Sequence, residues 1–168
     1  MTDGGEPDTY EEAISHVHSK EWYNAMQDEM GSLHENHTYD LVELPKGKRP
    51  LKNKWVFGLK SGEDGSPPRY KARLVAKGFA QREGIDYNEV FSPVVKHSSI
   101  IISLALVAQL NLELAQLDVK TAFLHSDLKE EIYMTQPEGY KVAGKEDWVF
   151  KLSKSLYGLK QSPRQWYK

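Results

Sequence analysis

Cysteine is absent from this 168-residue chain, which excludes a disulfide framework and any thiolate-held metal. No run of 18 apolar residues occurs, so no hydrophobic stretch is long enough to span a bilayer. The opening residues, Met1-Thr-Asp-Gly-Gly-Glu, carry neither a basic nor an apolar segment, so no secretory leader is read there. Repeats and low-complexity tracts are missing too. With 39% apolar and 27% charged residues, the composition is that of a globular chain. An intracellular protein that is neither secreted nor membrane-bound is the resulting expectation.

Basic charge is also scarce, but only in one place. Residues 1–43 contain a single base, Lys20, among eleven acids, whereas residues 46–82 contain eleven of the 22 bases against only Glu63 and Asp64. The net charge of −2 hides this asymmetry. A concentrated basic block fits a polyanionic partner such as nucleic acid or a triphosphate, and composition alone fits a solvated basic face equally well. The pairs His16/His18 and His34/His37 have no third partner at metal-ligand spacing and read as solvent-exposed histidines.

Residues 1–10 read as a disordered acidic tail. From Tyr10 to Leu33 the spacing of Trp22, Ala25, Met26, Met30 and Leu33 predicts a helix with one apolar stripe, with Ser19 as its cap. Thr38–Leu44 alternates as a short strand. Asn53–Lys60 and Arg69–Phe79 are β-rich and flank turn chemistry over 61–68, a hairpin pattern. Alternation along the second strand puts Arg69, Lys71, Arg73 and Lys77 on one face with Val75, and Tyr70, Ala72, Leu74 and Ala76 on the other. One face is then cationic and the other can pack. Ser98-Ser99 reads as a cap for an all-round apolar helix over Ile100–Leu110, expected to be buried. Leu112–Val119 reads as a strand with Asp118 near its end. Residues 128–135 and 148–152 read as further short strands. The last residues, Trp166-Tyr-Lys168, read as a cut rather than a natural end. Glu130-Glu131 is expected at the surface.

Three segments carry a specific resemblance. They are Arg69-Tyr-Lys-Ala-Arg-Leu-Val-Ala-Lys-Gly-Phe79, Gln116-Leu-Asp-Val-Lys-Thr-Ala-Phe-Leu-His125 and Ser155-Leu-Tyr-Gly-Leu-Lys-Gln-Ser-Pro-Arg164. With the helix around Trp22 and the stretch Asn88-Glu-Val-Phe-Ser-Pro-Val-Val95, they resemble, in order and spacing, the reverse transcriptase of copia-type retrotransposons (Pseudoviridae). The resemblance covers about residues 6–168. It implies an α+β right-hand polymerase fold, an antiparallel sheet with packed helices. Residues 11–97 would form the N-terminal helix and fingers with the basic hairpin, and 98–168 the start of an incomplete palm.

The implied reaction is nucleotidyl transfer with two divalent ions, Mg²⁺ or Mn²⁺, which take hard oxygen ligands. By resemblance Asp118 is the catalytic carboxylate and a metal ligand, and the backbone carbonyl of Val119 is another. A lone strand-end Asp is otherwise a turn residue; its setting in Gln-Leu-Asp-Val-Lys-Thr-Ala-Phe favours the metal. Phe123 resembles the aromatic gate that leaves no room for a 2′-hydroxyl, against a plain packing role. Lys71 and Arg73 resemble the fingers residues that hold the triphosphate, with the closer of the two left open. Arg69 and Lys77 are assigned to nucleic-acid backbone, and Tyr157, Gly158 and Gln161 to the nucleotide pocket, Gly158 allowing close backbone approach. Ser162-Pro163 would begin a helix.

The implied partners are an RNA or DNA template-primer, deoxynucleoside triphosphates and the remainder of a Pol polyprotein. Three positions depart from the family pattern: Ile101 and Gly58 where a base is usual, and Ser126 where Gly is usual. No Tyr-x-Asp-Asp run, the source of the further metal carboxylates, occurs in these residues. The chain by itself is therefore expected to be inactive. The alternative is a non-catalytic nucleic-acid-binding remnant of a retroelement, separable by whether the frame continues into that motif. A protein-interaction domain using the acidic N-terminal helix rests on charge asymmetry alone.

Overall fold

A computed structural model describes residues 5–61, 67–117, 119 and 121–168. It is a mixture of helices and antiparallel strands. Helix α1 spans Tyr10–Ser15, capped by the Thr9 hydroxyl accepting from the Glu12 N–H. Helix α2 spans Ser19–Glu35. The two are separated because His16 is extended, with its Nδ1 accepting from the His18 N–H. His18, not Ser19, occupies the N-cap of α2, and it makes no side-chain cap bond. Ahead of α1, Pro7 is buried and the Glu6 carboxylate accepts from the Leu59 N–H at 2.6 Å, so part of the stretch read as a tail is docked.

The buried stripe of α2 is Trp22, Ala25, Met26, Glu29 and Leu33, one face of a 3.6-residue repeat. It lies on a hairpin of β2 (Asn53–Lys60) and β3 (Arg69–Ala76), paired antiparallel with Trp55 opposite Leu74 and Phe57 opposite Ala72. Trp22 meets Tyr70 and Phe57 edge-on at 4.7 and 5.4 Å. Removing its ring would cost roughly 3–5 kcal/mol. The predicted two-faced strand is present: Ala72, Leu74 and Ala76 are buried, while Arg69, Lys71 and Arg73 stand on the other side. Most of the predicted turn between the strands, residues 62–66, lies outside the described residues.

The second strand ends at Ala76 rather than Phe79. There the Ala76 N–H is taken by the Tyr157 carbonyl and the Lys77 N–H by the Lys52 carbonyl, both at 2.8 Å, and a short 3₁₀ turn follows over Gly78–Ala80. Lys77 therefore leaves the strand face it was expected to share.

A three-stranded antiparallel sheet, in order β1 (Tyr39–Val42), β5 (Val149–Lys154), β4 (Asp127–Thr135), closes the other side of the core. Leu51 ties the hairpin to it through two backbone bonds, to the Tyr133 carbonyl and from the Thr135 N–H. One apolar cluster runs from Trp22 and Leu74 to Met134, Phe150, Leu156 and Leu159. A last short helix, α4 (Ser162–Tyr167), begins with Ser162-Pro163 as expected, Pro sitting in the first turn where its missing N–H costs nothing.

Three expectations fail between the hairpin and β4. Helix α3 spans His97–Gln109 with Lys96 at its N-cap and no side-chain cap, so Ser98 and Ser99 lie inside it. None of its residues is buried; Ile101 is 66% and Ile102 59% exposed. Residues 112–117 and 119 form no strand and are exposed, Leu117 at 89%. Among the described residues no element covers the apolar face of α3, and residues 112–117 pair with no strand. Among the described residues, no helix is long and apolar enough to cross a membrane.

Candidate nucleotide site

A cavity of about 480 Å³ runs along the open edge of β3, with α2 on one side and the cationic strand face on the other. Its walls include Glu29, Lys60, Arg69, Lys71, Arg73, Val119, Thr121 and Tyr157. Segments far apart in sequence thus converge, since Lys71 and Arg73 come from the hairpin, Val119 from the second motif and Tyr157 from the third. The Arg73 guanidinium lies 5.3 Å from the centre of the Tyr157 ring, and Tyr157 meets Phe123 edge-on at 5.0 Å. Phe123 is half-buried in a 3₁₀ turn over Ala122–His125.

The cavity wall sets four cations, Lys60, Arg69, Lys71 and Arg73, against two carboxylates, Asp28 and Glu29. No carboxylate of the described residues forms an ion pair with Lys60, Arg69, Lys71 or Arg73. Burial, and then the neighbouring cations Arg73, Lys60 and Arg69, hold the Lys71 ammonium below the usual lysine range, with Glu29 offsetting them in part. A bound polyanion would remove that repulsion. Gly58 stands directly opposite Lys71 in the hairpin, with open space around its α-carbon. A base at that position would stand against Lys71 and add to the crowding.

Other predicted residues fall elsewhere. Asp118 lies outside the described residues. Lys77, past the end of β3, is not part of the cavity wall. Gly158 has φ +87°, where an added Cβ would sit 2.1 Å from the Ala76 carbonyl oxygen and 2.7 Å from Val75 Cγ1. Its close backbone approach is therefore to β3. Gln161 is fully buried: its Oε1 accepts from Gln81 Nε2 at 3.0 Å and its Nε2 donates to the Asp86 carbonyl at 3.1 Å. Both ends of that amide are occupied within the protein. Away from the cavity, Glu131 is exposed and pairs with Lys48 at 2.5 Å, while Glu130 is half-buried.

Sequence reasoning missed Glu29 and Thr121. Glu29 sits at a position of the α2 stripe where the repeat calls for an apolar residue, and that mismatch was the available signal. Thr121 holds φ 53°, the left-handed region that a β-branched residue rarely adopts. Nothing in the sequence marks it.

Among the described residues no group of three or more His, Asp or Glu side chains is close enough to hold an ion. Val119 borders the cavity, and the carboxylates that share its wall, Asp28 and Glu29, both come from α2. The described residues do not assemble a donor set for an ion.

A sequence profile described as "Reverse transcriptase (RNA-dependent DNA polymerase)" matches residues 36–168. The chain belongs to the reverse transcriptase family. It is 63% identical over 167 residues to the retrovirus-related Pol polyprotein from transposon TNT 1-94 of Nicotiana tabacum, covering 99% of this chain and 13% of that protein. The corresponding figures for the polyprotein from transposon RE1 of Arabidopsis thaliana are 46% over 156 residues, 92% and 11%. The transposon Ty1-DR5 Gag-Pol polyprotein of Saccharomyces cerevisiae is 35% identical over 168 residues, 94% and 9%. The chain thus spans about a tenth of the length of the curated relatives it matches. No solved structure matches it. The copia-type retrotransposon resemblance read from the three motifs is in agreement with these relatives. The cationic wall of the cavity, from Lys60 to Arg73, lies inside the region that the family profile matches, while its α2 wall lies ahead of it.

Proposed function

We propose that the chain is the front of the RNA-directed DNA polymerase domain of a retrotransposon Pol polyprotein, with fingers through residue 97 and the start of the palm from residue 98. The cavity along β3 receives the triphosphate of an incoming deoxynucleotide. The observation that carries this reading is the meeting of Lys71 and Arg73 with Val119 and Tyr157 around one cavity that lacks ion-paired carboxylates. Charge-assisted bonds to phosphate are the strong contacts such a place can make. Phe123, held against Tyr157, would stand below the sugar. Arg69 and Lys77 would meet template or primer backbone, while Gly158 and Gln161 would support the pocket by fixing the loop that carries Tyr157.

In the complete domain, Asp118 and the Val119 carbonyl would supply two of the oxygens that hold Mg²⁺ or Mn²⁺, with the further carboxylates coming from the rest of the Pol polyprotein. Polymerisation therefore belongs to that larger protein, working inside the cell in a particle or the nucleus. The exposed apolar residues of α3 would be covered by the same remainder.

The test is titration of the 168-residue chain with a deoxynucleoside triphosphate and, separately, with template-primer. Lys71→Gln or Arg73→Gln should each weaken triphosphate binding about tenfold, the size of one lost charge-assisted bond. Unchanged binding in both variants would refute the cavity assignment. A second reading, a non-catalytic nucleic-acid-binding remnant, draws on the unpaired basic face of β3. It predicts template binding with no triphosphate binding at all.

A further inference from the structure

The hairpin is a two-stranded sheet, so alternate N–H groups along β3 face away from β2 and need partners from elsewhere. Two are met from outside. The Ala76 N–H reaches the Tyr157 carbonyl at 2.8 Å, and the Leu74 N–H reaches Glu29 Oε1 at 3.2 Å. Glu29 is 8% exposed, on a helix face otherwise made of Trp22, Ala25, Met26 and Leu33. Burying a carboxylate is expensive, and a glutamine would accept the same N–H at lower cost. The charge itself therefore needs a reason. Glu29 shares the wall of the cavity with Lys60, Arg69, Lys71 and Arg73, yet pairs with none of them within ion-pair distance. It is a negative charge set close to the place where phosphates would lie.

We infer that Glu29 is a positioning residue of this cavity: it fixes the open edge of β3 at Leu74, and its charge restrains how tightly the strand's cations hold polyphosphate. The inference rests on the triphosphate reading of the cavity given above. A restraint of this kind keeps the site from being blocked by pyrophosphate or stray polyanions when substrate is absent. Burial, the largest influence, raises the Glu29 carboxyl above its ordinary range, while the Leu74 N–H and then Arg73 and Lys71 pull it back down.

The experiment is calorimetric titration of the 168-residue chain with inorganic tripolyphosphate at neutral pH and fixed salt, together with hydrogen exchange at the Leu74 amide. Wild type, Glu29→Gln, Glu29→Ala and Lys71→Gln are compared. Glu29→Gln keeps the acceptor and removes the charge, so it should bind roughly threefold to tenfold tighter, the effect of one like charge across a partly screened cavity. Its Leu74 amide should stay protected. Glu29→Ala should lose that protection. If Lys71→Gln weakens binding but Glu29→Gln binds no tighter than wild type, the restraint is overturned and the cavity reading stands. Wild-type protection of Leu74 in Glu29→Ala would overturn the edge-fixing role. Binding that is absent from wild type, or indifferent to Lys71→Gln, would overturn the cavity reading and this inference with it.

Discussion

Replacing Gly158 by Ala adds one methyl group at the point where the Tyr157 loop meets β3. The new Cβ would lie 2.1 Å from the Ala76 carbonyl oxygen, a backbone atom that cannot rotate away. Gly78 adds a reciprocal constraint from the other side, since a Cβ built there would sit 2.0 Å from the Gly158 carbonyl oxygen. The two backbones must separate by about 1 Å to restore ordinary contact, which is enough to break the 2.8 Å bond from the Ala76 N–H to the Tyr157 carbonyl. Holding Ala at φ +87° adds strain of roughly 1–2 kcal/mol. With overpacking and the lost bond, Gly158→Ala should destabilise the fold by about 3–5 kcal/mol. Urea unfolding followed by tryptophan fluorescence would show the midpoint shift with an unchanged slope, and hydrogen exchange would show the Ala76 amide exposed. If Gly158 served only to admit a nucleotide, stability and Ala76 protection would stay at wild-type values while triphosphate binding alone fell. That result would refute the packing account.

Four cations, Lys60, Arg69, Lys71 and Arg73, border the cavity, so duplex binding through all of them should follow log salt with a slope near −3.6, about a hundredfold loss between ~50 and ~200 mM. Filter binding that is flat across that range would exclude phosphate contact by the hairpin. In a Pol chain that extends through a Tyr-x-Asp-Asp motif, Phe123→Val should admit ribonucleotides while sparing deoxynucleotide use; parallel loss of both would make Phe123 a packing residue for Tyr157. In the same longer chain, Asp118→Asn should abolish primer extension with template binding intact, because Asn keeps the shape and removes the charge; retained turnover would leave Asp118 a turn residue. Glu29 supplies a pH test, with Lys71 and Arg73 facing it from β3 and Lys60, Arg69, Asp28, Tyr70 and Tyr157 around the same cavity. Its raised folded pKa means that the folded state binds the proton more readily than the unfolded one. That stability is fully present below the ordinary value of 4.5 and is lost as pH rises through the folded value. Glu29→Gln should remove this loss, so that thermal melts of variant and wild type diverge as pH rises through that range; parallel curves would count against a titrating Glu29.

The sequence by itself determined the local elements wherever a periodic pattern met its own partner nearby. The stripe from Trp22 to Leu33 makes α2, and alternation in Arg69–Ala76 makes a strand with one cationic and one buried face. Ser162-Pro163 starts α4 through a rule that needs only those residues. The motif segments were likewise legible, because the residue types their chemistry requires stand at fixed offsets. Tertiary structure decided what no pattern encodes: which surface covers which. Apolar periodicity shows that α3 needs cover but cannot name its source, and among the described residues its side chains stay exposed. Residues 112–117 have strand composition, but a strand exists only where it pairs, and these residues pair with no strand of the described residues. Gly158 and Gln161 are placed by contacts made about eighty residues back along the chain, with Ala76 and Gln81. Glu29 breaks its own helix pattern, yet only the approach of α2 to the unpaired edge of β3 reveals which N–H it accepts from and which cations it faces. Local propensity acts through neighbours a few residues away, whereas a binding site is made where distant segments close on one another.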